Sequence, residues 1–137
     1  MTEFISENKM IPYNNERIFS MLSDLSNLER IKDRIPQDQI KEFSFDSDSC
    51  CIEISPIGKV CFQIINREPY KTIKFETSNS PFHLFLWIQL KQIADDVSVM
   101  KLTVRADLNP FLKTLVSKQI QEGLDRLAEM LASLPYE

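Results

Sequence analysis

The chain has little with which to hold a polyanion, a bilayer or a metal. Its formal net charge is −4 and its pI about 5.1. No dense Lys/Arg block interrupts that acidity. Binding nucleic acid needs a positive footprint that displaces counterions, so no nucleic-acid partner is expected. The longest apolar stretch, Phe82 to Leu90, already contains His83 and Gln89 and is far too short to span a bilayer. No integral membrane contact is expected. Residues Met1 to Glu7 show no basic start followed by an apolar run, the signature of a signal peptide. There are two glycines and one histidine; the chain contains no Gly-rich phosphate loop, no His-Glu-x-x-His and no Cys-x-x-Cys. Three cysteines, an odd number, with no export signal point to a reducing, cytoplasmic compartment.

What is present suits one packed domain over residues 1–137. Hydrophobic residues make up 43% and charged residues 26%, which argues against disorder. A chain this long buries roughly two thirds of its unfolded surface, enough for a core without staples. Residues 3–11 read as an opening strand ended by Pro12. Asn14 or Asn15 then caps a helix, and Ile18, Phe19, Leu22, Leu25 and Leu28 recur every three or four residues. Asp24 and Ser26 mark a break, giving two short helices before Pro36. From Gln39 the period becomes two. Six successive strands follow, separated by turns at Asp46–Ser49, Pro56-Ile57-Gly58, Asn66–Pro69, Ser78–Pro81 and Asp95-Asp96. Short connections favour an antiparallel meander. Last, Asn109 caps and Pro110 opens a helix that runs to about Leu134. Its inner stripe reads Leu112, Leu115, Val116, Gln119, Ile120, Gly123, Leu124, Leu127 and Leu131.

The segment Ile11-Pro12-Tyr13-Asn14-Asn15-Glu16-Arg17-Ile18-Phe19-Ser20-Met21-Leu22-Ser23-Asp24-Leu25-Ser26-Asn27-Leu28 is similar to the entry into the first helix of START-like proteins. A turn residue is followed by Glu, then Ile-Phe, then a Leu-x-Asp step. With the Leu102–Leu131 strand-to-helix passage and the order of elements, the chain resembles the START-like/SRPBCC helix-grip superfamily. That group includes birch-pollen-allergen relatives and polyketide cyclase/dehydrase-like proteins. The resemblance implies an α+β fold: a curved antiparallel sheet of about seven strands, two short helices and a long C-terminal helix. It implies a cavity between sheet and helix. It supplies no catalytic residue, because the superfamily shares no catalytic motif, and fold alone does not settle function.

Alternate residues would converge on the concave face: Ile52, Ile54, Val60, Phe62, Ile64, Ile73, Phe75, Leu84, Leu86, Ile88, Met100, Leu102 and Val104, facing Leu112, Val116, Ile120 and Leu124. The candidate cavity wall is Ile54, Phe62, Ile64, Phe75, Thr77, Leu86, Ile88, Leu102, Leu112, Val116, Gln119 and Ile120. The same side chains also suit a filled core. Gly123 either leaves room for a ligand or lets helix and strand pack closely. Tyr13, Thr77 and Gln119 offer hydrogen bonds to a ligand head group. His83 has opposite parity to Leu84 and reads as rim or surface. Cys50 and Cys51 point to opposite faces; with Pro56-Ile57-Gly58 as the loop, Cys61 opposes Glu53, leaving structural thiols and too few ligands for zinc. Phe85 and Trp87 share parity with Gln89 and Lys91, placing two aromatics on the convex face as an interface candidate, homodimeric or otherwise. The expected function is non-catalytic binding or transport of a small hydrophobic ligand, lipid-like or polyketide-like, with no cofactor and no metal. A cyclase/aromatase-type enzyme and an interaction scaffold with a filled core are the alternatives.

Overall fold

The computed structural model describes residues 1–30, 40–54, 58–79 and 83–136, with backbone only at 28, 30, 40–43, 52, 54, 58 and 79. Pro36, the loop residues Pro56 and Ile57, and Ser80, Pro81 and Phe82 lie outside the described residues. The elements are β1 (Thr2–Ile5), β2 (Lys9–Ile11), α1 (Asn15–Leu22), a 3₁₀ helix (Leu25–Arg30), β3 (Ile40–Phe45), β4 (Ser49–Ile54), β5 (Gly58–Glu68), β6 (Thr72–Asn79), β7 (Leu84–Ala94), β8 (Val97–Ala106) and α2 (Pro110–Ala132). All these strands join one curved antiparallel sheet in the order β1-β8-β7-β6-β5-β4-β3, with β2 also paired to β8.

The opening strand is two strands. β1 pairs Ile5 with Thr103, whereas β2 pairs Lys9 with Met100, so the register slips between them. Ser6 bridges the slip: its N–H donates to Leu102 O, and its hydroxyl oxygen accepts from Leu102 N, both at 2.9 Å. The local hydroxyl thus replaces a ladder partner at the break.

Both caps form as the side chains dictate. Asn14 Oδ1 accepts from Arg17 N at 2.9 Å and Asn109 Oδ1 from Leu112 N at 2.8 Å, each worth about 1 kcal/mol. Asp24 Oδ1 accepts from the Ser26 N–H and hydroxyl, which holds its carboxyl below the usual carboxylate range and turns the chain after α1. Asp46 does the same between β3 and β4, accepting from Asp48 N and Ser49 N. The turn expected at Asn66–Pro69 comes later, because β5 stays paired through Glu68. Lys71 N closes it on Glu68 O, and Tyr70 takes a positive φ of 65°. Its ring meets Phe19 edge-on at 5.8 Å, a contact that offsets part of the cost of that backbone.

The core lies on the concave side. Ile18, Phe19, Met21 and Leu22 of α1 join Ile73, Phe75, Leu86, Ile88, Met100 and Leu102 of the sheet, and Leu124, Ala128 and Leu131 of α2. Tyr136 locks the C-terminal end: its hydroxyl donates to Leu131 O at 2.5 Å and its ring meets Tyr13 at 5.8 Å. Burial pushes that phenol well above its ordinary range.

Candidate functional site

The concave wall and α2 meet tightly at one end and loosely at the other. The backbone of α2 comes nearest β1, β2 and β8, and Gln121 Nε2 donates to Ile5 O at 3.2 Å. Toward the C-terminal end Leu124 and Leu131 are each 4% exposed and Ala128 is fully buried. Toward the N-terminal end Leu112, Val116 and Ile120 are only half-buried. On the sheet, Phe62 of β5 and Cys50 of β4 are also half-buried, packed against the core.

The expected wall residues therefore divide. Ile64, Phe75, Leu86, Ile88 and Leu102 are buried core. Phe62, Leu112, Val116 and Ile120 belong to the unsealed end. The Ile52 and Ile54 side chains lie outside the described residues. Part of the helical stripe is corrected. Gln119 is exposed, Leu115 is 53% exposed, and Phe111, one turn before it, is 72% exposed. Gly123 is also exposed, and a Cβ built there meets nothing within 4 Å, so it serves no close packing. The covered line runs Leu112, Val116, Ile120, Leu124, Ala128, a four-residue step that drifts around the cylinder away from Leu115 and Gln119.

Polar candidates are mostly occupied. The Thr77 hydroxyl oxygen accepts from Leu84 N at 3.0 Å and donates to Leu84 O at 3.4 Å, standing in for ladder bonds where β6 and β7 part. The Tyr13 ring packs edge-on against Tyr136 with centroids 5.8 Å apart. His83 is exposed and its Nε2 lies 2.7 Å from Glu76 Oε2, outside the concave space, as its parity implied. Among the described residues no three His, Cys, Asp or Glu side chains converge as a metal site would require, and no helix is long and apolar enough to cross a membrane.

The cysteine reading is overturned. Ile54 pairs with Gly58, so Gly58 is a strand residue and Cys51 faces Cys61 with Cα atoms 4.0 Å apart. The two form a disulfide. The expected loop had Gly58 inside the turn, a register two residues away. A two-residue slip keeps every side chain on its own face, so alternation could not separate the two pairings. With a disulfide present, the odd cysteine count no longer argues for a reducing compartment. Cys50 stays free on the inner face; burial, with a smaller contribution from Asp46, pushes its thiol up to about 11, so it is inert at neutral pH.

On the convex face Phe85 and Trp87 are half-buried, with centroids 5.8 Å apart. Lys74, opposite Trp87 on β6, places its ammonium 4.7 Å from the Phe85 centroid and 5.1 Å from that of Trp87. The rings are thus partly covered by a cation from the neighbouring strand, and Phe85 also by the His83 ring, 4.7 Å away.

Eight antiparallel strands curving over a terminal helix make a helix-grip α+β fold. A START superfamily protein from Mycobacterium smegmatis superposes with a TM-score of 0.71 at 13% identity, covering 95% of this chain and 94% of that one. Norcoclaurine synthase from Thalictrum flavum superposes with a TM-score of 0.74 at 13% identity, covering 96% and 85%. TTHA0849 from Thermus thermophilus gives 0.66 at 16% identity, covering 96% and 94%. No protein-family model and no curated protein sequence matches the chain. At these identities the likeness is one of fold.

Proposed function

We propose that the chain binds a small apolar ligand between the concave sheet and the N-terminal half of α2, without catalysing its conversion. The observation that carries this reading is the unsealed end. Leu112, Val116 and Ile120 of α2, like Phe62 and Cys50 of the sheet, are left only half-buried, although the same helix seals Leu124 and Leu131. Covering those side chains with a ligand gains about 25 cal/mol per Å² of apolar surface before association costs. The fold neighbours support a binding role in general terms, since one solved norcoclaurine synthase holds dopamine and hydroxybenzaldehyde.

Binding is favoured over a cyclase-type reaction by the buried polar inventory. Among the described residues the inner face carries the Ser6 and Ser98 hydroxyls, the Tyr136 phenol tied to Leu131 O, and the Cys50 thiol, the last two held protonated by burial. The three hydroxyls are already hydrogen-bonded to backbone, whereas acid–base chemistry needs a group that gains or loses a proton near neutral pH within reach of the reacting atom.

The test is a fluorescence titration with the neutral apolar probe N-phenyl-1-naphthylamine. Saturable binding of one equivalent is expected, weakened at least tenfold in Val116→Glu, which puts a charge on the wall. No saturable binding, or equal binding by Val116→Glu, would overturn the reading.

A further inference from the structure

We propose a second, separate binding site on the convex face, for a small molecule that joins a flat ring to a carboxylate. Three cross-strand rows build it. Ile5, Thr103 and Trp87 face one another across β1, β8 and β7. On one side lies the row Glu3, Arg105, Phe85, and on the other the pair Lys101 and Gln89. Thr103 is small and buried between larger neighbours, so the middle row sinks into a groove of about 320 Å³ lined by Glu3, Ile5, Trp87, Gln89, Lys101, Thr103 and Arg105. That volume is at the lower end for small-ligand sites.

The two ends of the groove differ in charge, and this sets the ligand's chemistry. At one end Arg105 Nε donates to Glu3 Oε2 at 2.9 Å, so cation and anion cancel. At the other, the Thr103 hydroxyl donates to Gln89 Oε1 at 2.8 Å, which fixes the amide oxygen inward and leaves its N–H₂ as the outward end. Lys101 stands directly across from Gln89, and among the described residues no carboxylate lies within ion-pair distance of its ammonium. One cation and one amide donor side by side suit a carboxylate. Between the ends, the side of Trp87 and the half-exposed Ile5 form apolar walls that suit a planar ring. The Arg105 guanidinium, 5.9 Å from the Trp87 centroid, can remain tied to Glu3 while a ring enters. The site lies on the opposite face of the sheet from the proposed apolar cavity and does not depend on it.

Trp87 is the chain's one tryptophan, so its indole N–H gives a single resonance. The test is to titrate the ¹⁵N-labelled full chain with benzoate, with benzamide (ring without charge) and with acetate (charge without ring). A saturable shift of that resonance with benzoate is expected, with at least fivefold weaker binding of either partial analogue. Lys101→Gln should weaken benzoate binding about fivefold with the fold unchanged, and Thr103→Leu, which fills the floor, should abolish it. A benzoate shift that is linear, that benzamide reproduces, or that Lys101→Gln leaves intact would overturn the proposal.

Discussion

The two halves of α2 belong to one helix yet meet the sheet differently. From Leu124 onward the helix contributes fully buried side chains to the core; before Ile120 it offers half-buried Leu112 and Val116 and exposed Phe111 and Leu115. Both of its ends are capped, by Asn109 before the opening proline and by Ser133 on the Met130 carbonyl, so local helix chemistry does not account for the difference in cover. The looser end of the sheet carries the disulfide: Cys61 lies opposite Asn79 at the end of β6, and the His83 carbonyl, leading into β7, accepts from Asp107 N just before α2. Where burial is incomplete, a covalent tie between β4 and β5 limits the freedom of the strands.

Breaking the sealed half should cost most. Leu124→Ala or Leu131→Ala is expected to lower unfolding free energy by about 2–5 kcal/mol, the range for leucines deleted from a core that cannot collapse. The matching change at the open end, Leu112→Ala, should cost under about 1 kcal/mol in the ligand-free protein. Urea midpoints of the three variants measure the contrast, and equal losses would abolish the distinction between the halves. Next in size is the disulfide. Its cysteines are 10 residues apart in sequence, so chain-entropy loss predicts about 3 kcal/mol; reduction, or Cys51→Ser with Cys61→Ser, should lower the thermal midpoint accordingly. A midpoint unchanged by reductant would show that the open end holds without the tie. The smallest effect is a gain. Gly123→Ala should stabilise by up to about 1 kcal/mol, since a mid-helix glycine is costly and the added methyl meets nothing. A loss of stability there would mean that the position is covered in solution.

Much of this was legible in the residues. The alternation along β7 placed Leu84, Leu86 and Ile88 inward and Phe85 and Trp87 outward, as the structure has them. Asn14, Asp24 and Asn109 announced their caps through side-chain oxygens that find amides two or three residues on. The candidate wall was legible only in part. Residue type does not distinguish Leu102, which is wholly buried, from Leu112, which is not. The covered stripe of α2 is narrower than its apolar pattern, because Leu115 and Leu112 are equally apolar and only the path of the helix over β1, β2 and β8 selects between them. The convex groove had a partial signal in the outward parity of Lys101, Thr103 and Arg105, but its far wall, Ile5, comes from a strand nearly a hundred residues away in sequence.

By itself, then, the order of amino acids determined most of the strands and helices, the helix caps, and which face of each strand is oily, but not the split of the opening strand or the exact turns. These are local properties, set by periods of two and 3.6 and by short-range hydrogen bonds. The folded chain decided what depends on distance: the pairing of Cys51 with Cys61, the unequal closure of α2, and the groove between Ile5 and Trp87. Parity survives a shift of two residues and says nothing of how far a helix stands from a sheet, so only the assembled structure fixes register and cover.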